Sequence, residues 1–244
     1  MSDVTRDRLR SGELTLLQPE RGYRFSVDAP LLACFAAAGG EVAGTVADLG
    51  AGCGVVGLLL CRKCPDALLT AVENNSHMAD CARRNVEMNG LAGRVKIIEE
   101  DILEFRRISP PSSFDLVVSN PPFRASASGR ISPVAGRDAA RHESTATLAD
   151  FLAAAKYLVR PGGRICFIYH PSRLPEFLAR AYAIKLAVVR VRMIHGRSQL
   201  PASMFLAEMA KGSRRLPVVE PPLIVRRDDG SYTDEVAGMT GERL

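Results

Sequence analysis

The sequence predicts an α/β fold of parallel strands joined by right-handed helical crossovers. Three observations lead there. From Thr45 onward, short apolar strand-type runs alternate with segments of helical period. The first of these strands runs into a glycine-rich turn, Asp48-Leu49-Gly50-Ala51-Gly52-Cys53-Gly54, that opens a helix. The chain has 244 residues, 47% hydrophobic and 24% charged, which is ordinary material for one α/β domain or a small domain with an appendage.

Residues 1–44 read as an N-terminal hairpin and helix extension. Glu13 to Gln18 alternates weakly and Tyr23 to Val27 is a short β-type run, with Pro19-Glu20-Arg21-Gly22 supplying turn chemistry between them. A helix follows from about Asp28 to Ala38, with Asp28 as N-cap, Pro30 in the first turn and Gly39-Gly40 at its end. Its apolar run, Ala29 to Ala38, suits a buried helix and falls short of the ~20 residues a membrane span needs.

Residues 45–244 read as one compact unit. Val46 to Leu49 is its first strand. Val55 to Cys64 is a helix stopped by Pro65, and Leu68 to Val72 is the second strand. His77 to Asn89 places Met78, Cys81, Ala82, Val86 and Met88 at helical spacing, with Gly90 as its C′ residue. Val95 to Ile98 and Phe114 to Val118 are the third and fourth strands. Arg124 to Ser144, rich in Ser, Gly, Arg and Ala, has no period, and a loop of that length in a compact domain is usually functional or disordered. Beyond it come a helix at Leu148 to Leu158 ended by Pro161-Gly162-Gly163, a strand at Ile165 to Tyr169 and a helix at Leu174 to Lys185. Strands at Ala187 to Ile194 and Met204 to Met209 follow, with an extra one at Leu223 to Val225.

Composition narrows the function classes. The net charge is +5 and the pI about 9.0, compatible with a polyanionic partner. The segment Met1 to Arg10 is polar and charged, unlike a secretory leader, so the six cysteines are expected to be reduced and the protein cytoplasmic. Cys61-Arg62-Lys63-Cys64 is formally C-x-x-C, but it lies at a helix end with no second ligand pair, so packing is expected. No His/Cys/Asp set has metal spacing, and no metal is expected.

The glycine turn lies where open α/β sheets bind ligands, outside the carboxyl end of a strand. Its spacing is G-x-G-x-G, with Val55 where a dinucleotide fingerprint would place its third glycine. Asp48 precedes the loop, where it can meet a cationic group such as a methionine ammonium. Glu73 ends the second strand, where a carboxylate can accept both ribose hydroxyls, a feature shared with dinucleotide sites. Asp101, after the third strand, can take an adenine amino group, with Ile102 packing on the ring. The expected cofactor pocket is lined by Asp48, Gly50, Gly52, Glu73, Asp101 and Ile102.

The most informative stretch is Asn120-Pro121-Pro122-Phe123 at the end of the fourth strand. Asn120 offers a side-chain carbonyl, and the Ser119-Asn120-Pro121 backbone offers more carbonyls with no N–H at either proline. An adenine amine or an amide nitrogen is a poor nucleophile because its lone pair is delocalised. Two carbonyls accepting its N–H bonds would hold it and favour pyramidalisation, freeing the lone pair for a methyl donor. Phe123 would stack on the ring. The expected catalytic set is therefore Asn120, Pro121 and Phe123.

These residues resemble the small-domain class I S-adenosylmethionine-dependent methyltransferases. The marks are Asp48 to Gly54, Glu73, Asp101 and Asn120 to Phe123. Gly22 to Asp28, Arg141-His142-Glu143, Lys156 to Gly163, Lys211-Gly212, Pro222 to Val225 and Tyr232 to Val236 resemble one branch, the bacterial tRNA (adenine-N6)-methyltransferases of valine tRNA. The resemblance implies a Rossmann-like sheet of seven strands with the last antiparallel, cofactor contacts at Gly50, Gly52, Glu73, Asp101 and Asn120, and a tRNA substrate. Release-factor glutamine methyltransferases share Asn-Pro-Pro-aromatic but carry a larger N-terminal helical domain. Acceptors other than adenine N6 stay open: a protein glutamine, guanine N2 or a small-molecule amine. So does a non-catalytic nucleotide- or RNA-binding protein.

Other residues are two-sided in the sequence. His142 either closes over substrate or makes a structural ion pair. Arg190 and Arg192, on one face of a strand beside His195 and Arg197, read equally as an RNA-facing patch or a solvated edge, and Lys211, Arg214 and Arg215 pose the same choice.

Overall fold

The computed structural model describes residues 4–9, 13–20, 26–40, 42, 44–122 and 146–241. An N-terminal hairpin is present; one strand falls at the expected Glu13 to Gln18, and its partner precedes it rather than follows it. β1 (Val4–Leu9) pairs antiparallel with β2 (Leu14–Pro19). Of the expected second strand, 23–25 lie outside the described residues, and Ser26 and Val27 are not strand. Charges at Arg6, Asp7 and Arg8 disguise β1, which is a half-exposed edge. Such a strand needs no apolar run.

β2 satisfies its other edge with side chains rather than a strand. Asn85 Oδ1 accepts from the Leu17 N–H at 2.6 Å, and its Nδ2 donates to the carbonyls of Leu17 at 3.0 Å and Cys53 at 2.9 Å. Asn89 pairs with both backbone groups of Thr15, at 2.9 and 2.7 Å. Asn85 is fully buried. Asn85→Ala is therefore expected to strand three buried backbone groups and destabilise the fold by about 2–3 kcal/mol. Urea unfolding checks this; an unchanged midpoint would show that β2 is not held this way.

Helix α1 (Asp28–Ala38) follows, apolar nearly all round and buried as expected. Its N-cap is Val27, not Asp28, which lies inside the first turn. The parallel strands come next: β3 (Gly44–Leu49), β4 (Ala67–Glu73), β5 (Val95–Glu99), β6 (Phe114–Ser119) and β7 (Val159–Tyr169). They are linked by α2 (Val55–Lys63), α3 (Ser76–Met88), the short α4 (Phe105–Ile108) and α5 (Leu148–Leu158). Pro161-Gly162-Gly163 lies within β7, where the pairing with β6 jumps from Phe114↔Val159 to Leu116↔Arg164. Gly162, at φ +78°, makes that bulge possible.

Helix α6 (Leu174–Ala183) leads to β8 (Leu186–His195) and β9 (Ala202–Lys211). β9 inserts between β7 and β8, antiparallel to both. The strand order β5-β4-β3-β6-β7-β9-β8 is the expected seven-stranded sheet with an antiparallel last strand. Two further strands, β10 (Val218–Val219) and β11 (Leu223–Ile224), pair parallel with β8 and raise the count to nine. Pro217, Pro221 and Pro222 keep this cover short, so it shields the open edge of β8 without presenting a new one. α7 (Asp234–Thr240), capped by Thr233, packs on α1.

The sheet separates two cores. One holds β2, α1, α2, α3 and α7 side chains around Leu14, Leu31, Leu58 and Leu69. The other holds α5 and α6 around Phe151, Phe167, Phe177 and Phe205. Residues of the 1–44 extension thus share a core with the first strands of the sheet.

Arg190 and Arg192 form neither an RNA-facing patch nor a solvated edge. Arg190 bonds the buried Glu208 at 2.8 Å, Glu220 at 3.0 Å and the Phe35 carbonyl at 2.8 Å, with its guanidinium 3.7 Å over the Phe35 ring. Arg164 donates to Ala36 O and Gly40 O. Two strand arginines therefore serve the last carbonyls of α1, where cations are favoured. Arg192 binds Glu235 at 2.7 Å and so ties α7 to the sheet.

Candidate active site

The register brings the predicted site residues to one edge. Leu49 lies level with Val72 and Ser119, and Glu73 lies level with Glu99. The carboxyl ends of β5, β4, β3 and β6 therefore stand side by side, with the order of the chain reversing between β3 and β6. That is the switch point where α/β sheets open a crevice.

The loop after β3 is made by glycine in the literal sense. Gly50, Gly52 and Gly54 have φ of +70°, +57° and +84°, which L side chains rarely adopt. A Cβ on Gly50 would lie 3.2 Å from Phe151 of α5, and one on Gly52 would lie 3.4 Å from Met78. The N–H groups of Gly50 and Ala51 both donate to Val72 O at 2.9 Å, folding the loop over the end of β4.

Glu73 locks this loop from below. Its Oε2 accepts from the Gly52 N–H at 2.7 Å and its Oε1 from the Asn75 N–H at 2.9 Å. Asn75 in turn caps α3 by accepting from Met78 N at 3.1 Å. One carboxylate thus fixes both the glycine turn and the start of α3, and each oxygen keeps a lone pair for a ligand.

Asp48 lies beneath the loop, 1% exposed, where its Oδ2 accepts from Gly57 N of α2 at 3.1 Å. A side chain at Gly57 would overlap Leu69 and crowd this carboxylate, so the helix sits close on the strand. Burial pushes Asp48 up to about 7, opposed by the Gly57 bond and assisted by the nearby charge of Glu73.

Asp101 caps the 3-10 turn Ile102–Glu104, its Oδ1 accepting from Leu103 N at 2.9 Å. Ile102 is committed to the core beneath α5, with 5% of its surface exposed. Asn120 follows β6 and is half-buried; Pro121 is buried and Pro122 exposed. The preceding Ser119 donates its hydroxyl to Leu49 O at 2.7 Å, which clamps the ends of β3 and β6 together and so sets Asn120 beside the glycine loop. Phe123, the loop from Arg124 to Ser144 and His142 lie outside the described residues.

Two residues of this edge were not signalled by any motif. Phe151 roofs Gly50 from the first turn of α5, a helix fixed by the Thr147–Asp150 capping box. His170 stands just past the end of β7, next to β6, with Nδ1 2.8 Å from Ser172 Oγ. A polar residue after an apolar strand is the signal that points to it. Lys211 reaches Ser112 and the Val159 carbonyl at the opposite edge of the sheet, so the Lys211, Arg214 and Arg215 cluster does not join the site. Among the described residues no group of three or more His, Cys, Asp or Glu is placed to hold a metal, and no helix is long and apolar enough to cross a membrane. Cys61 and Cys64 are free thiols, with Cys61 buried in the α2 packing.

Comparison with known proteins adds the following. The family model "Methyltransferase small domain" matches residues 28–183. The chain is 29% identical over 226 residues to a tRNA1(Val) (adenine(37)-N6)-methyltransferase of Porphyromonas gingivalis, covering 89% of this chain and 87% of that one. It is 28% identical over 231 residues to the protein of the same description from Trichodesmium erythraeum, covering 94% of each. It is similar in structure to a predicted O-methyltransferase, protein Atu636 from Agrobacterium tumefaciens, with TM-score 0.71, 25% identity, and coverage of 88% of this chain and 95% of that one.

Proposed function

The chain belongs to the methyltransferase small domain family, and from that premise we propose that it methylates the N6 amino group of an adenine in tRNA, with S-adenosylmethionine as donor. The observation that carries the proposal is the clamped pair of strand ends that sets Asn120-Pro121 beside the glycine loop.

The crevice suits S-adenosylmethionine. Its three glycines hold a left-handed backbone that L side chains rarely adopt, and Glu73 and Asp101 present carboxylates at successive strand ends, suited to ribose hydroxyls and an adenine amine. Asp48 acts from beneath the loop by its charge. When bound, the cofactor supplies an electrophilic methyl on a positively charged sulfur. Asn120 Oδ1 and the Pro121 carbonyl would accept the two N–H bonds of the adenine amine and turn its lone pair towards that methyl. Transfer would form an N–CH3 bond and break the S–CH3 bond, whose electrons would stay on sulfur, and one proton would leave the nitrogen afterwards. The accepting carbonyls stabilise the positive charge that develops on nitrogen, so no strong base is needed. Phe123 would stack on the purine.

Incubation of the protein with labelled S-adenosylmethionine, bulk tRNA and cell protein tests the assignment. The expected product is N6-methyladenosine in tRNA. Label in protein alone, as methylglutamine, would overturn it.

Asp48 gives a pH signature. A nearby ligand cation favours its ionised form, so binding must expel the proton that the free site holds below about 7. Cofactor affinity is expected to rise about tenfold between pH 6 and pH 8, and Asp48→Asn is expected to flatten the rise. Calorimetry across that range reads it; an equal slope in both proteins would remove Asp48 from the binding linkage. Stability moves oppositely: the folded pKa is raised, so the folded chain holds a proton that the unfolded chain has lost, and this contribution falls as pH climbs from about 4 to about 7.

A further inference from the structure

Beyond the reacting base, we infer that the tip of the β8–β9 hairpin is the wall that grips the sugar-phosphate backbone of the RNA, through Arg197 and Arg226. The inference rests on the RNA reading above and names where that substrate is held.

The sheet register gives the wall its height. Ser119 at the end of β6 lies level with Phe167, which lies level with Ala207 and, through it, Val191. β8 continues four residues past that row, to His195. The hairpin therefore stands about 13 Å above the end of β6 and about 14 Å to its side, at three strand spacings. Its loop is closed by His195 Nδ1 against the Leu200 carbonyl at 2.7 Å. Val225 and Arg226 run alongside, with Arg226 N donating to Gly196 O at 3.0 Å.

This places two guanidinium groups on neighbouring segments. Arg197 is exposed. Arg226 is exposed and held in place, 4.4 Å over the Tyr232 ring and donating to Gly230 O at 2.7 Å. Among the described residues neither meets a carboxylate. The contrast with their neighbours is the argument: Arg173, Arg190, Arg192 and Arg227 all face acids. Of the nearby acids, Asp229 is turned to Ser231 and Asp234 to Arg227, and neither pairs with Arg197 or Arg226. Exposed guanidinium groups on neighbouring segments, without a carboxylate partner among the described residues and one of them pre-oriented on a ring, suit phosphate binding. Leu200, half-exposed at the tip, offers an apolar contact for a base beside them.

The test uses the full chain and an unmodified valine tRNA transcript, with an adenine-containing oligonucleotide too short to reach the hairpin as second substrate. Arg197→Ala/Arg226→Ala should weaken tRNA binding about tenfold and flatten the plot of log affinity against log salt by roughly 1.4–1.8. Transfer to the short oligonucleotide should be unchanged, as should cofactor affinity. Arg214→Ala/Arg215→Ala, which removes equal charge from the opposite edge, should leave the slope alone. If the tip variant keeps the wild-type slope while the wild type methylates tRNA, the wall is wrong and the N6 reading stands. Equal losses on both substrates would also overturn the wall, since they mark damage to the site. If the wild type neither binds nor methylates RNA, both readings fall.

Discussion

Asn120→Ala is expected to slow methyl transfer to RNA by about a hundred- to a thousand-fold while cofactor affinity stays within a few-fold of wild type. The asymmetry follows from what Asn120 does. In the proposed role its carbonyl would accept an N–H bond that strengthens as the amine pyramidalises and nitrogen gains charge, so most of its contribution would be made in the transition state. The cradle proposed for the cofactor consists of other groups: Gly50, Gly52 and Gly54 with their left-handed backbone, and Glu73 beneath them. Ser119, which clamps β6 to β3, is retained in the variant, so the loop should not drift. Asn120→Asp keeps an acceptor but loses the amide N–H, and should fall between wild type and alanine. Single-turnover kinetics with saturating cofactor separates the step from binding. Normal single-turnover rates in Asn120→Ala would end the proposed role of this side chain, and a cofactor affinity that collapsed with the rate would move Asn120 from chemistry to binding.

What the sequence revealed divides along physical lines. Helix α5 spans Leu148–Leu158 as expected, and six of the seven main strands fall within two residues of their expected places, because each buries an apolar face whose spacing is written locally; β7 begins six residues early, at Val159, since its bulge carries it through Pro161-Gly162-Gly163. The hairpin's second strand was misplaced because β1 is a half-exposed edge with charges on it and β2 satisfies its far side through Asn85 and Asn89, some seventy residues away. Two-residue strands such as β10 carry no period at all. Arg190 looked like a free surface cation because nothing near it in the chain is acidic; Glu208 and Glu220 reach it only once β9 and β10 flank β8. The site was legible for the opposite reason. Its residues sit at strand ends and turns, where composition is constrained one residue at a time. Even so, spacing marked Glu73 as a ligand group without showing that it also holds Gly52 and Asn75, and Asp48 as a cation partner without showing that it lies beneath the loop.

An observed anchoring role joined to a proposed ligand role makes Glu73 the most informative residue for the cofactor. Glu73→Ala is expected to weaken cofactor binding by about a hundredfold or more, since it removes a charged acceptor from two backbone N–H groups and from the ribose. Loss of affinity alone would not separate the two duties. Glu73→Gln does so. Its amide oxygen can still accept one backbone N–H, but its NH2 confronts the other, so the loop is disturbed whatever the ligand. The ribose contribution, by contrast, exists only when the ligand has hydroxyls to give. Binding of S-adenosylhomocysteine and of its 2′,3′-dideoxy analogue to wild type and Glu73→Gln therefore forms a double-mutant cycle. The natural ligand should lose about tenfold more than the analogue, the worth of one charge-assisted hydrogen bond. Equal losses would mean that Glu73 serves only as the anchor of Gly52 and Asn75, and the ribose would have to be held by another group along the same strand ends.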